Sequence, residues 1–548
     1  MSEDIEAALD QVRRHLMDGE PVLGEAAARR HLQSSPANFR LQKALSVSLM
    51  MQGNFKESVP LLQRLHSEAP GDADVAVNLA KAHLELKQHD DAEALLADMD
   101  WLDAASLLSR SLIERRQLDR ASNLLNKALA EFGAHPQLLI DRAAIAIHQG
   151  DAAAFDYLDQ AEAGLAQMPE AVRAGFRQMI LKNRTLTALG LGRLGEARAY
   201  AEGLNRADAD YMLARIERGE KNYAAAIGHQ LQVQAERPDP IQALYLAQLY
   251  LSTGDYRSAW PYWQQRRDKP PAPDGLAEWQ GEALAGKRIL IGVEQGTGDV
   301  MQFGRYLSLL SNQGAKIRCP MFEELQPLFE AAFPAIAFGP VAPGDTAYDF
   351  HAPLLSIPAI LKLDAEAAVL SRDPYLKVPP EATEAWRQML PEGPTIGIAW
   401  KGNPDNVNDR RRSIHDLEPL KNLITSAPAT FVSLQWPAED VEELAPFLQS
   451  GRLLDYVHLR SNFADTAALV SALDGVLTVD TSIAHLAGAL GKACAVVNPL
   501  DADWRWSKLG PAWYGDWLAS FEQPAPGDWP SVLEEASGWL ADRMILSN

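Results

Sequence analysis

The chain is 548 residues long, several times the size of a single hydrophobic core, so two or three domains are expected. Its formal net charge of -22 argues against a nucleic-acid binder, because neutralising phosphates needs a basic face. The acidic start MSEDIEAALD lacks the basic and apolar regions of a signal peptide, and no run of about 18 apolar residues would span a bilayer. The two cysteines, Cys319 and Cys494, sit in apolar strand-like segments where a thiol acts as a small hydrophobe. Together these predict a cytosolic protein without a membrane span.

From the start to residue 268 the pattern is helical and repetitive. Gly53, Phe55, Ser58, Leu62, Leu65 and Pro70 recur at identical offsets as Gly254, Tyr256, Ala259, Trp263, Arg266 and Pro271. Tyr223, Ala226 and Pro238 keep the same steps, and Ala92, Ala121 and Ala197 take the small-residue place in degenerate copies. The pattern resembles the tetratricopeptide repeat, in which two antiparallel helices cross closely at small residues and a proline ends the second. The step from Ala92 to Ala121 falls short of the repeat's period of about 34 residues, so an irregularity is expected in the middle of the array. A stack of such hairpins curves into a solenoid whose concave wall holds an extended segment of another protein.

Residues 269–286 are expected to form a linker, because KPPAPDG at Lys269 to Gly275 resists helix and sheet alike. Beyond it the period changes. A first lobe, 287–380, reads as strand KRILIGV, turn EQGTGD, helix VMQFGRYLSLLSNQG, strand KIRCPMF, a helix around Glu324 to Ala332 and strand AIAFGP. A second, 381–548, reads TIGIAWKG, a helix from about Ile414, TFVSLQ, a helix near Val441, LLDYVHL, helix DTAALVSAL, strand GVLTVD, helix SIAHLAGALG and strand ACAVVNP. Apolar strands alternating with helices predict parallel sheets covered on both faces, with ligands at the carboxyl ends of the strands. Those ends are Gly296 to Asp299, Lys401 to Asn403, Gln435 and Asp480 to Ser482.

The turn GTGDV, the segment WKGNPDNVNDRRRSI, the stretch VDTSIAHLAGALGK and the later DWRW resemble bacterial proteins in which tetratricopeptide repeats are fused to a glycosyltransferase domain similar to the ADP-heptose:lipopolysaccharide heptosyltransferases. The resemblance covers roughly Lys287 to Trp517, and VDTSIAHLAGALG is its most specific part. It implies the GT-B fold, an α-helical solenoid followed by a GT-B-like pair of Rossmann-like α/β lobes, and an inverting transfer. It also implies a nucleotide-sugar donor used as substrate with no separate cofactor. Among such fused proteins are enzymes held to glycosylate flagellin, which makes a protein acceptor, flagellin for one, the expected partner.

Transfer of a sugar from a nucleoside phosphate needs the leaving charge to be met, and without a metal this falls to helix N-termini and cations. Asp480, Thr481 and Ser482 follow a strand and open a helix, so hydroxyls and amides can face a phosphate while Asp480 caps the turn; an ordinary helix cap has the same spacing. His485, one turn on, either orients the donor or is a structural histidine. Lys401 and Asn403 follow a buried strand, and Arg410 to Arg412 follow a polar loop; a phosphate grip or a solvated basic face accounts for them equally. In the resembling enzymes a basic residue of this loop meets the donor phosphates, and Arg411 and Arg412 are the matches. The aspartate of their Gly-Asp-Val turn, matched by Asp299, is the general base that takes the acceptor proton, although an ordinary helix-capping aspartate would stand in the same place. Glu294 and Gln295 end the same strand and are candidates for acceptor contacts. A dinucleotide fingerprint is not supported, since Met301 stands where Gly296-x-Gly298 needs its third glycine. Asp501-Ala502-Asp503 has the Asp-x-Asp spacing of metal-dependent transferases, but the triplet also begins at Asp72, Asp98 and Asp208 in the helical half and is read as non-metal. Trp504 and Trp506 either stack on base or sugar or are buried. Against an active transferase stand two alternatives, a scaffold with a degenerate transferase domain and an enzyme with a lipid-linked or polysaccharide acceptor.

Overall fold

A computed structural model describes residues 2–97, 99, 101–341, 347–404, 406, 409–436 and 442–546. Asp98, the loop members Asp405, Val407 and Asn408, and Val441 lie outside the described residues. The chain forms two compact units, Met1–Asn205 and Arg206–Asn548.

The first unit consists of helical hairpins from Ser2–Met17 and Pro21–Ser34 to Glu170–Gly190 and Leu194–Ala201. The small residues of the repeat pattern are its crossing points: Ser58, Ala92, Ala121 and Ala197 are buried. Each turn between paired helices holds one residue in the left-handed region, and glycine provides it at Gly19, Gly53, Gly150 and Gly192. The same place is taken by Lys87 (φ 61°) and Arg116 (φ 60°), where an L side chain is strained. The expected irregularity is present but later than the sequence step suggested: a 3-10 turn at Leu165–Gln167 precedes the 21-residue helix Glu170–Gly190, which pairs with the 8-residue Leu194–Ala201.

The second unit begins with two further hairpins, Arg206–Gly219 with Tyr223–Glu236 and Pro240–Ser252 with Tyr256–Trp263. Two parallel sheets follow. The first comprises β1 (Arg288–Gly292), β2 (Lys316–Cys319), β3 (Ala337–Phe338) and β4 (Phe350–Pro353) in the order β3-β2-β1-β4. The second comprises β5 (Thr395–Ala399), β6 (Thr430–Ser433), β7 (Leu453–Asp455), β8 (Gly475–Val479), β9 (Cys494–Asn498) and β10 (Leu518–Glu522) in the order β10-β9-β8-β5-β6-β7. All pairings are parallel. The sequence pattern did not mark β10, which buries Phe521 alone, or the final helix Trp529–Leu546. The single helix expected after β1 is two, Thr297–Phe303 and Arg305–Asn312, meeting at Gly304, where a β-carbon would lie 2.7 Å from the Phe329 ring.

The compact division falls well before the proline-rich segment where composition changes. Trp260 donates to the Leu363 carbonyl (2.6 Å) and Trp263 to that of Leu355 (2.8 Å), while Ser507 donates to the Ser252 carbonyl (2.7 Å). One continuous core therefore runs from Ala247, Leu251, Tyr256 and Trp263 through both sheets. The linker residues belong to it as well. Trp279 and Leu284 are buried, Glu278 bridges to His351 beside β4, and Pro270 packs on Gly292 so closely that a β-carbon there would lie 2.9 Å from its ring. Cys319 and Cys494 are buried small apolar groups, and burial pushes the Cys319 thiol up to about 12. Among the described residues no helix is long and apolar enough to cross a membrane.

Candidate functional site

The order of the second sheet reverses between β5 and β8, so the chain leaves the carboxyl ends of these neighbours in opposite directions and opens a crevice there. Lys401 to Asn403 follow β5, and Asp480 to Ser482 follow β8. In the first sheet Gln295 to Asp299 follow β1. These three turns line one cavity of about 1130 Å³. Its wall includes Gln295, Asp299, Lys401, Asn403, Arg411, Arg412, Gln435, Asp480, Thr481, Ser482 and His485. Of the candidate residues Glu294, Arg410, Trp504 and Trp506 are absent from it.

Gly298 is the point where the two lobes' turns meet. A β-carbon there would stand 2.9 Å from Cδ2 of His485 and 3.3 Å from Cα of Ser482. The N-termini of helices Thr297–Phe303 and Ser482–Leu490 thus pack at van der Waals distance, with Asp299 one residue beyond the contact. Asp299 Oδ2 accepts from the Gly296 N–H (3.1 Å), and its Oδ1 accepts from Arg505. The same guanidinium reaches Asp503 Oδ1 (2.8 Å) and Gln302 Oε1 (2.8 Å). Burial works against the Arg505 charge, but Asp299 and then Asp503 outweigh it and hold the group above its ordinary range.

Thr481, not Asp480, caps the second helix: its hydroxyl accepts from the Ile483 N–H (3.2 Å). Asp480 instead accepts from the Trp506 indole (2.8 Å). Burial raises its pKa and Asp503 adds to that, against the pull of Arg412 and Arg505. His485 is buried, stacks on Trp506 with centroids 5.0 Å apart, and pairs through Nδ1 with the Tyr514 hydroxyl (2.9 Å). Burial, then Arg505 and Arg305, hold it well below its usual pKa, so it is neutral at physiological pH. Trp504 and Trp506 are buried packing groups that leave no ring face for a ligand.

On the opposite wall Gln435 secures the loop after β5, accepting from the Lys401 N–H and donating to the Lys401 carbonyl, each at 3.1 Å. The Arg412 guanidinium lies against Gly402, where a β-carbon would fall 2.5 Å from Nη2, so a larger residue there would push the arginine aside. Arg411 is half exposed and approaches Asp501 Oδ2 at 3.4 Å. Asp501 Oδ1 accepts from Nε of Arg218, a residue of the helix Arg206–Gly219, at 2.7 Å. Asp501 and Asp503 are therefore each engaged by arginine.

Glu294 does not reach the cavity. Its carboxylate is held by Arg266 at 2.8 and 2.5 Å, with both side chains buried and Ser356 Oγ completing the group at 2.8 Å. Burial raises the Glu294 pKa, while Arg266 lowers it. Next to it Gln295 sits at φ 60°, a strained conformation for a residue with a β-carbon. The ion pair thus anchors the turn that carries Asp299.

Sequence reasoning did not find Arg505, Arg218, Arg460 or the half-exposed Trp436, all of which line the cavity. Arg505 lay inside the DWRW stretch, where only the tryptophans were weighed. Arg218 carried no local signal, since only the fold brings its helix to the second sheet.

A tetratricopeptide repeat family model matches residues 49–109, so the helical array carries tetratricopeptide repeats. Protein FlbA of Caulobacter vibrioides is 23% identical over an alignment covering 91% of this chain and 83% of that protein. A family 9 glycosyl transferase structure from Veillonella parvula is 13% identical, covering 49% of this chain and 100% of its own, with a TM-score of 0.38. The ADP-heptose LPS heptosyltransferase II of E. coli is 15% identical, covering 47% and 99%, at 0.35. A tetratricopeptide repeat protein from Parabacteroides merdae is 14% identical, covering 44% and 96%, also at 0.35.

Proposed function

We propose that the chain is a cytosolic glycosyltransferase that moves a sugar from a nucleotide-activated donor to a Ser or Thr hydroxyl of a protein engaged by the repeats, flagellin being the first acceptor to try. The observation that carries this reading is the shared cavity: a carboxylate at one helix start, Asp299, and a polar helix start at Thr481 and Ser482 come from different sheets and line the same space. The volume is sufficient for a nucleotide sugar with a polypeptide side chain beside it.

In this reading the acceptor hydroxyl gives its proton to Asp299 as its oxygen attacks the anomeric carbon from the face opposite the leaving group. The bond to the donor phosphate breaks, its electron pair leaves with the nucleotide, and configuration inverts. Lys401, Arg411 and Arg412, with the N-terminus of helix Ser482–Leu490, meet the charge that develops on the phosphate, a metal-independent arrangement. Neutral His485 serves as packing and as a polar edge, not as a proton donor. Asp299 is steadied by the Gly296 N–H and Arg505, which fixes the direction of its lone pairs.

Mass spectrometry of a purified candidate acceptor, with and without the enzyme and a panel of nucleotide sugars, tests the reaction. Asp299→Asn is expected to cut transfer by roughly 10²- to 10⁴-fold with donor binding near that of wild type. Undiminished turnover in that variant would remove Asp299 from the role of base.

A further inference from the structure

Among the described residues the charged groups around the cavity balance in number. Arg218, Lys401, Arg411, Arg412, Arg460 and Arg505 line it against Asp268, Asp299, Glu324, Asp480, Asp501 and Asp503. A balanced wall attracts a nucleoside diphosphate only if its cations face the ligand while its carboxylates are occupied elsewhere. For Asp299 and Asp503 the occupying group is Arg505. Asp501 has two cationic neighbours on opposite oxygens, and they are unequal. Arg218 is 2.7 Å away, and both side chains of that pair are 14% exposed. Arg411 is 3.4 Å away and 53% exposed. Arg218 further donates to the Ala502 carbonyl at 3.2 Å, which fixes its guanidinium on this turn.

We infer that Arg218, on a repeat helix, is a positioning residue for the donor site: by neutralising Asp501 it leaves Arg411 able to turn to the donor diphosphate. This rests on the donor reading given above. Without Arg218, Asp501 is a largely buried carboxylate whose remaining cationic neighbour among these contacts is Arg411, so it draws Arg411 in and adds an uncompensated negative charge where phosphate must sit. The last repeats then contribute to donor binding as well as to protein recognition, through one carboxylate between two arginines.

The test uses the full chain and titrates UDP, GDP, ADP and CDP by calorimetry on wild type, Arg218→Ala, Arg218→Lys, Asp501→Asn and the double variant Arg218→Ala/Asp501→Asn, each with its melting curve. For the nucleotide that wild type binds, Arg218→Ala is expected to weaken affinity by about tenfold, the scale of one charge interaction. Arg218→Lys should keep part of it. Asp501→Asn should bind as well as wild type or better, and the double variant should recover most of the affinity, which loss of structure would not produce. Equal affinity of Arg218→Ala and wild type overturns the inference alone, as does weakened binding by Asp501→Asn, a result readable even if Arg218→Ala fails to fold. Wild type that binds none of the four overturns the donor reading, and this inference with it.

Discussion

Asp299 and Asp141 are both aspartates on helices, and their surroundings set them to different ends. Asp299 is in its helix's first turn and is met by an N–H and a guanidinium, so its charge is supported where a ligand can reach it. Asp141 is buried in the middle of helix Pro136–Gln149; its Oδ1 accepts from Gln137 at 3.1 Å, and its Oδ2 has no hydrogen-bond partner among the described residues. Burial raises its pKa from 3.8 to about 6, against the nearby Ser106 hydroxyl, the Gln137 hydrogen bond and the charge of Arg110. Because the folded state holds this proton more tightly than the unfolded one, the group's contribution to stability is present in full below 3.8 and is lost as pH rises through about 6. Asp141→Asn is expected to stabilise the first unit by roughly 1–3 kcal/mol near neutral pH, with the gain vanishing at about pH 4. Urea midpoints at the two pH values check this, and a gain that is the same at both would refute the titration. The sequence disclosed Asp299 because its turn has a familiar form. It disclosed nothing of Asp141, whose role depends on which helix packs over it, nor of Arg505 as the partner of Asp299 across more than two hundred residues.

At the level of elements, the repeat hairpins show why the array was legible at its ends and weak in its middle. The glycine that permits the left-handed turn is present in the hairpins that matched well, at Gly53 and Gly254; Gly150 and Gly192 keep it in the middle of the array, but Lys87, Arg116 and Lys221, all near φ 61°, replace it in three weaker copies. The backbone is the same, but the residue that would announce it is not. Small residues at the crossing points remained readable because no larger side chain fits there, and Ala92, Ala121, Ala197, Ala226 and Ala259 are all buried. Arg116→Gly should therefore stabilise the first unit by about 0.5–1 kcal/mol, the relief of strain exceeding the extra freedom of glycine in the unfolded chain. Thermal unfolding would register it as a rise of a few degrees, and a fall would mean that the Arg116 side chain contributes more than its turn costs. The strands of both sheets were legible for a similar reason: β5, β8 and β9 are buried at every position and leave an unbroken apolar run. The edge strand β10, with its mixed burial, left none.

For the chain as a whole, composition and packing draw the line between repeats and sheets in different places. Proline density at 269–275 marks where periodic secondary structure stops, but it says nothing of where contacts stop, and the compact division is at Asn205 and Arg206. The hairpin Pro240–Ser252 with Tyr256–Trp263 places Tyr256, Trp260 and Trp263 in the core shared with both sheets, and Arg266 is the buried counterion of Glu294. A chain beginning at Arg206 retains all of these. One beginning at Lys269 loses three buried aromatic rings, each costing about 3–5 kcal/mol when removed, and leaves Glu294 as an unpaired buried carboxylate at a further cost of about 3–5 kcal/mol. Their sum, about 12–20 kcal/mol, matches or exceeds the upper part of the roughly 5–15 kcal/mol by which domains are stable. The chain from Arg206 should accordingly fold cooperatively and be stabilised by the nucleotide that stabilises the full chain, by about 2.7 kcal/mol at a hundredfold excess over Kd. It should lose transfer to the protein acceptor if the first unit supplies the acceptor's grip. The chain from Lys269 should be unfolded or aggregated at ordinary temperature. Circular dichroism melts of the two, with and without nucleotide, separate the cases. A chain from Lys269 that melts cooperatively and answers to nucleotide would mean that the two sheets stand without the final hairpin, and the positioning role of Arg218 would fall only if that chain bound nucleotide as tightly as the full chain.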